Sequence, residues 1–92
     1  MKYRSRTDII AMILQSAING ATKTRIMYGA YLSYGQVQEY LSFLMEKDLI
    51  RREEGSGLYK LTQRGVHLLH VYENISDMIT VNDQKNSPSL FS

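Results

Sequence analysis

Three stretches of helical periodicity, two short apolar runs around a glycine-rich turn, and one further helical stretch follow one another in a chain of 92 residues. That order predicts a mainly α fold with a small β-hairpin: three helices, a two-stranded wing and a C-terminal helix, the arrangement of a winged helix-turn-helix. Length bounds the reading, because one small core is the ceiling for a chain of this size. With 43% hydrophobic residues the core needs no metal or disulfide as a staple, and the lack of cysteine excludes disulfides, thiolate zinc sites and cysteine nucleophiles.

The first helix is expected over residues 8–19, where Ile10, Ile13, Leu14, Ala17 and Ile18 form an i, i+3, i+4, i+7, i+8 stripe. Thr7 or Ser5 caps its start, Asp8 favours the positive end of the dipole, and Asn19-Gly20 supplies a left-handed stop. Ile9, Met12 and Ser16 lie about 100° around the helix from that stripe, so two packing partners are implied. A short second helix over residues 22–30 is capped by Thr22, with Ile26, Met27 and Ala30 inward and Lys23 and Arg25 outward. Ser33 and Gln36 then form a capping box that fixes where the third helix begins. Its inward stripe reads Val37, Tyr40, Leu41, Leu44 and Met45; its outward face reads Gln36, Gln38, Glu39, Ser42, Phe43 and Glu46.

From Leu49 the pattern shifts to two short runs around Gly55-Ser56-Gly57, a β-hairpin in which Tyr59 and Leu61 face the core with Ile50 opposite them. Thr62 caps a fourth helix over residues 63–79, roughly 25 Å long, and Gly65 in its first turn suggests a close approach to a neighbouring backbone. Beyond it the chain is polar and aperiodic, and residues 83–92 read as a flexible tail. The chain is thus expected to divide into a winged helix-turn-helix domain over 1–65, a C-terminal helix over 66–82 and the tail, with DNA binding expected of the first and dimerisation of the second on grounds of charge and apolar spacing.

The net charge of +2 hides an asymmetry. Residues 1–64 carry ten Lys/Arg against six Asp/Glu, whereas residues 65–92 carry one against three. An anionic partner for the first part follows, with a different task for the rest. In a helix-turn-helix the third helix enters a major groove while the second crosses the phosphates, and the wing lies along the backbone beside them. On that geometry Lys23 and Arg25 contact phosphate from the second helix, and Arg51, Arg52 and Lys60 from the wing. Strand alternation sends Arg51 and Arg52 to opposite faces, so one of the two faces DNA. Ser33 and Tyr34 on the first turn of the third helix meet phosphate, and Gln36, Gln38 and Ser42 supply donors and acceptors for base edges. Lys2, Arg4 and Arg6 form a basic arm able to lie on phosphate or in a minor groove.

Residues from about 4 to 72 also resemble the archaeal winged helix-turn-helix DNA-binding proteins related to the ten-kilodalton chromatin-type family. The resemblance is carried by Gly20-Ala21-Thr22-Lys23-Thr24-Arg25-Ile26-Met27-Tyr28, by Leu32-Ser33-Tyr34 with Tyr40-Leu41 and Phe43-Leu44, by Gly57-Leu58-Tyr59-Lys60-Leu61-Thr62, and by Gly65. It implies a winged helix that binds DNA without catalysis, and a long C-terminal helix pairing two subunits as an antiparallel coiled coil. The fourth helix expected here is shorter, and the tail after it polar.

In that helix Leu68, Tyr72, Ile75 and Ile79 follow a 4-3-4 spacing with Val71 and Met78 beside them, a seam that wants a partner. The partner is either the chain's own first helix, through Ile9 and Met12, or a second copy, and a homodimer is expected. His67, His70, Glu73 and Asp77 form a row on the other side that reads as a solvated face; no metal, cofactor or small-molecule effector is expected. No nucleophile has an evident base, so no enzyme is expected. The first apolar run breaks at Gln15, giving neither a secretory signal nor a membrane span, which predicts a cytoplasmic, nucleoid-associated regulator or chromatin protein. The competing reading is a winged helix that binds another protein through its apolar stripes and no DNA; Glu39 on the third helix favours it.

Overall fold

The computed structural model describes the backbone of residues 4–84 and the side chains of residues 4–79. In chain order these form α1 (Arg6–Ser16), α2 (Lys23–Gly29), α3 (Tyr34–Glu46), β1 (Ile50–Arg52), β2 (Tyr59–Leu61) and α4 (Gln63–Gln84). The predicted fold class is the one observed, and the differences lie at element ends.

Ser5, one of the two expected caps, precedes α1, whose first residue Arg6 lies two residues before the expected boundary. The Ser5 hydroxyl accepts the Asp8 N–H at 3.0 Å while the Ser5 N–H donates to the Asp8 carboxylate at 3.1 Å, a reciprocal cap that satisfies two donors. The helix stops at Ser16 with Ala17 as its C-cap, and the chain turns away at Gly20, where φ is +88°. Ile18 therefore falls beyond the helix and is 54% exposed, contrary to the inward position expected of it, because the 3.6-residue period no longer governs there. Ile13, Leu14 and Ala17 are buried as expected.

Thr22 caps α2 by accepting the Arg25 N–H, and Ile26 and Ala30 are buried beneath it. The capping box between Ser33 and Gln36 opens α3, at 3.2 and 2.9 Å. Val37, Leu41 and Leu44 face the core, but two neighbours exchange the roles read from the sequence: Met45 is exposed and Phe43 half-buried. The earlier start of α1 explains Phe43, because it lays the Arg6 guanidinium over that ring, 4.7 Å from its centroid, and 5.5 Å from that of Tyr40. Met45 sits on the last turn of α3, next to where the chain leaves for the wing.

β1 and β2 pair antiparallel with Ile50 opposite Leu61, Arg51 opposite Lys60 and Arg52 opposite Tyr59. Tyr59 also exchanges both backbone hydrogen bonds with Ala21, at 3.0 and 2.8 Å, so the segment before α2 acts as a one-residue third strand. A single bridge has no periodicity, and sequence pattern gave no sign of it.

Thr62 fixes the start of α4: its hydroxyl donates to the Asp48 carbonyl at 2.6 Å and accepts the Gly65 N–H at 3.0 Å. Gly65 meets the expectation of a close backbone approach, since a Cβ there would stand 2.1 Å from the Leu49 carbonyl oxygen. Leu69 joins the core. The helix continues past Ile79 to Gln84, about 33 Å in all, so it reaches into the expected tail; residues 85–92 of that tail lie outside the described residues. No helix among the described residues is long and apolar enough to cross a membrane.

Candidate nucleic-acid interface

The polar surface gathers where α2 and α3 begin. Lys23, the first residue of α2, donates from Nζ to Oε1 of Gln38 and lies 5.1 Å from the ring centroid of Tyr34. One ammonium thereby ties the start of α2 to the first turn and the outer face of α3. Arg25 is exposed one turn into α2, and Ser42 is exposed one turn beyond Gln38. Gln36 is exposed too, but its amide oxygen accepts the Ser33 N–H, leaving only its NH2 group outward. A bidentate contact to adenine requires both amide atoms, so Gln36 makes one only if the capping box opens. Glu39 borders a shallow polar depression shared with Arg6, Gln36 and Tyr40.

On the hairpin the observed register puts Arg51 and Lys60 on one face and Arg52 on the other, beside Tyr59. Two cations directly opposite repel each other. Glu53 offsets that repulsion by pairing with Lys60 at 3.3 Å, and it accepts the Ser56 hydroxyl at 2.8 Å. The Ser56 bond first, and Lys60 next, hold the Glu53 carboxyl below its usual range. Lys60, expected as a free phosphate contact, is thus already paired, while the Arg52 guanidinium leans over the Tyr59 ring at 6.0 Å.

The expected basic arm is turned inward where it is described. The Arg4 guanidinium donates to the Ala30 carbonyl, to the Tyr31 carbonyl at 3.1 Å and to Sδ of Met12 at 3.2 Å. It closes the C-terminal end of α2, whose last carbonyls have no glycine cap, and Arg6 stacks on Phe43. Lys2 lies outside the described residues.

The apolar surface expected to join α1 and α4 is divided. Ile9 and Met12 are half-buried against the core, Met12 under Arg4, and Ser16 on the same flank crowds Gly29 of α2, where a Cβ would meet its hydroxyl at 2.5 Å. The flank of α1 that meets α4 is instead Thr7, Ile10, Ala11 and Leu14, which with Leu68, Leu69 and Tyr72 line a groove of about 140 Å³. At its rim the Tyr72 hydroxyl donates to the Asp8 carboxylate at 2.7 Å. That bond, followed by those from Ser5, lowers the Asp8 pKa below the ordinary value, and it raises that of Tyr72. Leu68, Val71, Ile75, Met78 and Ile79 remain exposed along α4, Ile75 by 54% and Ile79 by 60%. His67, His70 and Asp77 are exposed and Glu73 partly so; no group of three or more His, Asp or Glu side chains able to hold a metal occurs among the described residues.

The sequence pattern of the family described as winged helix-turn-helix matches residues 3–80. An uncharacterised protein of Methanocaldococcus jannaschii is 34% identical over 77 residues, 83% of this chain but 36% of that protein, so the chain spans about a third of that relative's length. The crystal structure of Sso10a-2, a DNA-binding protein from Sulfolobus solfataricus, aligns with a TM-score of 0.72 at 25% identity, covering 96% of each chain. Both relatives are archaeal, in line with the resemblance read from residues 4–72. Helix order, wing and a family match over residues 3–80 agree, and the chain belongs to the winged helix-turn-helix family.

Proposed function

We propose that the protein binds double-stranded DNA as a homodimer, with α3 in the major groove, the start of α2 and the wing on the phosphates, and α4 joining the subunits. The observation that carries this reading is the distribution of charge around α3. Residues 9–38 contain no Asp or Glu, and cations flank α3 in the chain: Lys23 and Arg25 on the helix before it, Arg51 and Arg52 on the wing after it, these two on opposite faces of the hairpin. Arg51 stands opposite Lys60 on one face of the wing, and Glu53 engages Lys60 but leaves the Arg51 guanidinium available to an anionic partner. The similarity to a DNA-binding protein points the same way.

In this reading Ser42 faces base edges, Gln38 does so with the NH2 group that its bond from Lys23 leaves outward, and Ser33, Tyr34 and Gln36 serve the first turn of α3 at the phosphates. The exposed stripe of Leu68, Val71, Ile75 and Ile79 supports pairing with a second copy, while Tyr72 and Leu69 pack on the chain's own α1. Two subunits so joined favour half-sites about one helical turn apart, or a multiple of it. The role is that of a cytoplasmic, nucleoid-associated regulator or chromatin protein without catalysis, and no cofactor or small-molecule effector belongs to it.

Duplex binding titrated at several salt concentrations tests the reading. Four to six phosphate contacts give a log–log slope of roughly −4 to −5. No binding to any duplex at low salt would sink it and leave the second reading, a protein-binding winged helix, which the apolar face of α4 and Glu39 favour.

A further inference from the structure

We propose that the outer face of α2 and the turn after it form a stacking platform for single-stranded DNA, carried by Tyr28 and Tyr31. Both rings stand in solvent, Tyr28 being 70% and Tyr31 76% exposed. An aromatic ring left in water forfeits the burial that normally stabilises it, so the fold gains little from either. Tyr31 is also held at φ +55°, a left-handed conformation that disfavours any side chain with a Cβ and that Gly or Asn adopts more readily. What fixes that turn is main chain: Arg4 binds the carbonyls of Ala30 and Tyr31, and the Leu32 N–H donates to the Met27 carbonyl at 2.9 Å. Any residue at position 31 would supply the same carbonyl. Backbone conformation therefore disfavours tyrosine at position 31, burial rewards neither ring, and a ligand for the rings accounts for both.

Charge selects that ligand. Arg25 lies one turn before Tyr28, so guanidinium and ring share the outer face of α2, and residues 9–38 contain no carboxylate side chain to neutralise it. Asp8, the nearest acid before that stretch, is bonded to Tyr72 on α4. Exposed π faces beside uncompensated cations track a phosphate backbone and stack its bases. A base inside a duplex keeps its face in the stack and offers it to neither ring; an unpaired base does offer it. The helix that carries Tyr28 also carries Lys23, which reaches the Tyr34 ring at the start of α3, so the strand is taken as DNA continuing from a duplex end or an opened segment. Only this choice of DNA over RNA rests on the function proposed above.

The test is fluorescence anisotropy with the full chain at low salt, using labelled oligo-dT of about twelve nucleotides and a duplex of the same length, within the site sizes such surfaces cover. Tyr28→Ser combined with Tyr31→Asn removes both rings, and Asn suits the left-handed turn, so folding persists and circular dichroism checks it. The expected result is oligo-dT binding by the parent chain, weakened about tenfold or more in the variant, with duplex affinity changed less than about twofold. Duplex binding without oligo-dT binding overturns the platform and leaves the duplex reading standing; loss of both overturns the two together. Equal losses on duplex and strand make the rings duplex contacts. Tighter, tyrosine-dependent binding of oligo-rU moves the ligand to RNA, and a changed sedimentation mass with unaltered strand binding makes the patch a protein contact; each overturns the proposal.

Discussion

α3 and α4 are both amphipathic helices packed on one core, and they present opposite chemistry to their surroundings. α3 turns Val37, Leu41 and Leu44 inward along its whole length and leaves Gln38, Glu39 and Ser42 outside. α4 is anchored at its base, through Gly65, Leu69 and the Tyr72–Asp8 bond, and from there displays Val71, Ile75 and Ile79. The face claimed by the core decides what remains for a partner: hydrogen-bonding groups on α3, apolar area on α4. A polyanion suits the first and a second apolar helix the second.

The largest blow to that contrast falls at the anchor of α4. Gly65→Ala drives a methyl group into the Leu49 carbonyl, and since backbone must move to admit it, a loss of about 3 kcal/mol is expected in denaturant unfolding. An unchanged midpoint would show that the helix base is not held by this contact. Next comes Ile75→Glu, which puts a charge in the middle of the exposed stripe; sedimentation should find monomer, with dimer affinity lowered about a hundredfold or more, roughly 2.7 kcal/mol. A variant still dimeric at micromolar concentration would move the subunit contact elsewhere.

Ser33→Ala acts on the other helix. It removes the side-chain acceptor of the α3 cap and should cost about 1 kcal/mol of stability. The subtlest change is Tyr72→Phe, read in the pH dependence of melting. The lowered Asp8 pKa gives a stabilising contribution that is present above the ordinary carboxylate value of about 4 and is lost as pH falls through the lowered folded value. The raised Tyr72 pKa gives one that is present below about 10 and is lost as pH rises through the raised folded value. Tyr72→Phe deletes the principal cause on both sides, so the melting profile should flatten toward acid and toward alkali. A profile identical to that of the parent would mean the bond contributes nothing to the docking of α4.

Elements with a local signature were legible in the sequence: the Ser33–Gln36 box, the Thr22 and Thr62 caps, the strand pair around Gly55-Ser56-Gly57 and the tight fit at Gly65 each follow from a few adjacent residues. What escaped depends on partners far apart in sequence. Arg4 reaches residues 30 and 31, Asp8 reaches Tyr72, and Ala21 reaches Tyr59, and no spacing rule encodes such pairs. The same limit explains the candidate interface. Cation positions could be read, but that Arg4 and Lys60 are already engaged could not, because charge patterns do not reveal partners. Likewise the apolar seam on α4 was visible, yet only packing shows that Ile9 and Met12 belong to the α2 side of α1.

The bridge between Ala21 and Tyr59 bears on how the wing meets a ligand. Two strands of three residues would be marginal alone, and their swinging would have to be frozen on contact at an entropic cost. Stitching β2 to the segment before α2 makes the base of the wing stiff, so the same covalent stretch that launches Lys23 and Arg25 also sets the angle at which Arg51 and Arg52 are held. The start of α2 and the base of the wing are thus prealigned as one unit, and the tip beyond them is closed by its own bonds, from the Gly57 N–H to the Glu53 carbonyl and from the Ser56 hydroxyl to the Glu53 carboxylate, both at 2.8 Å.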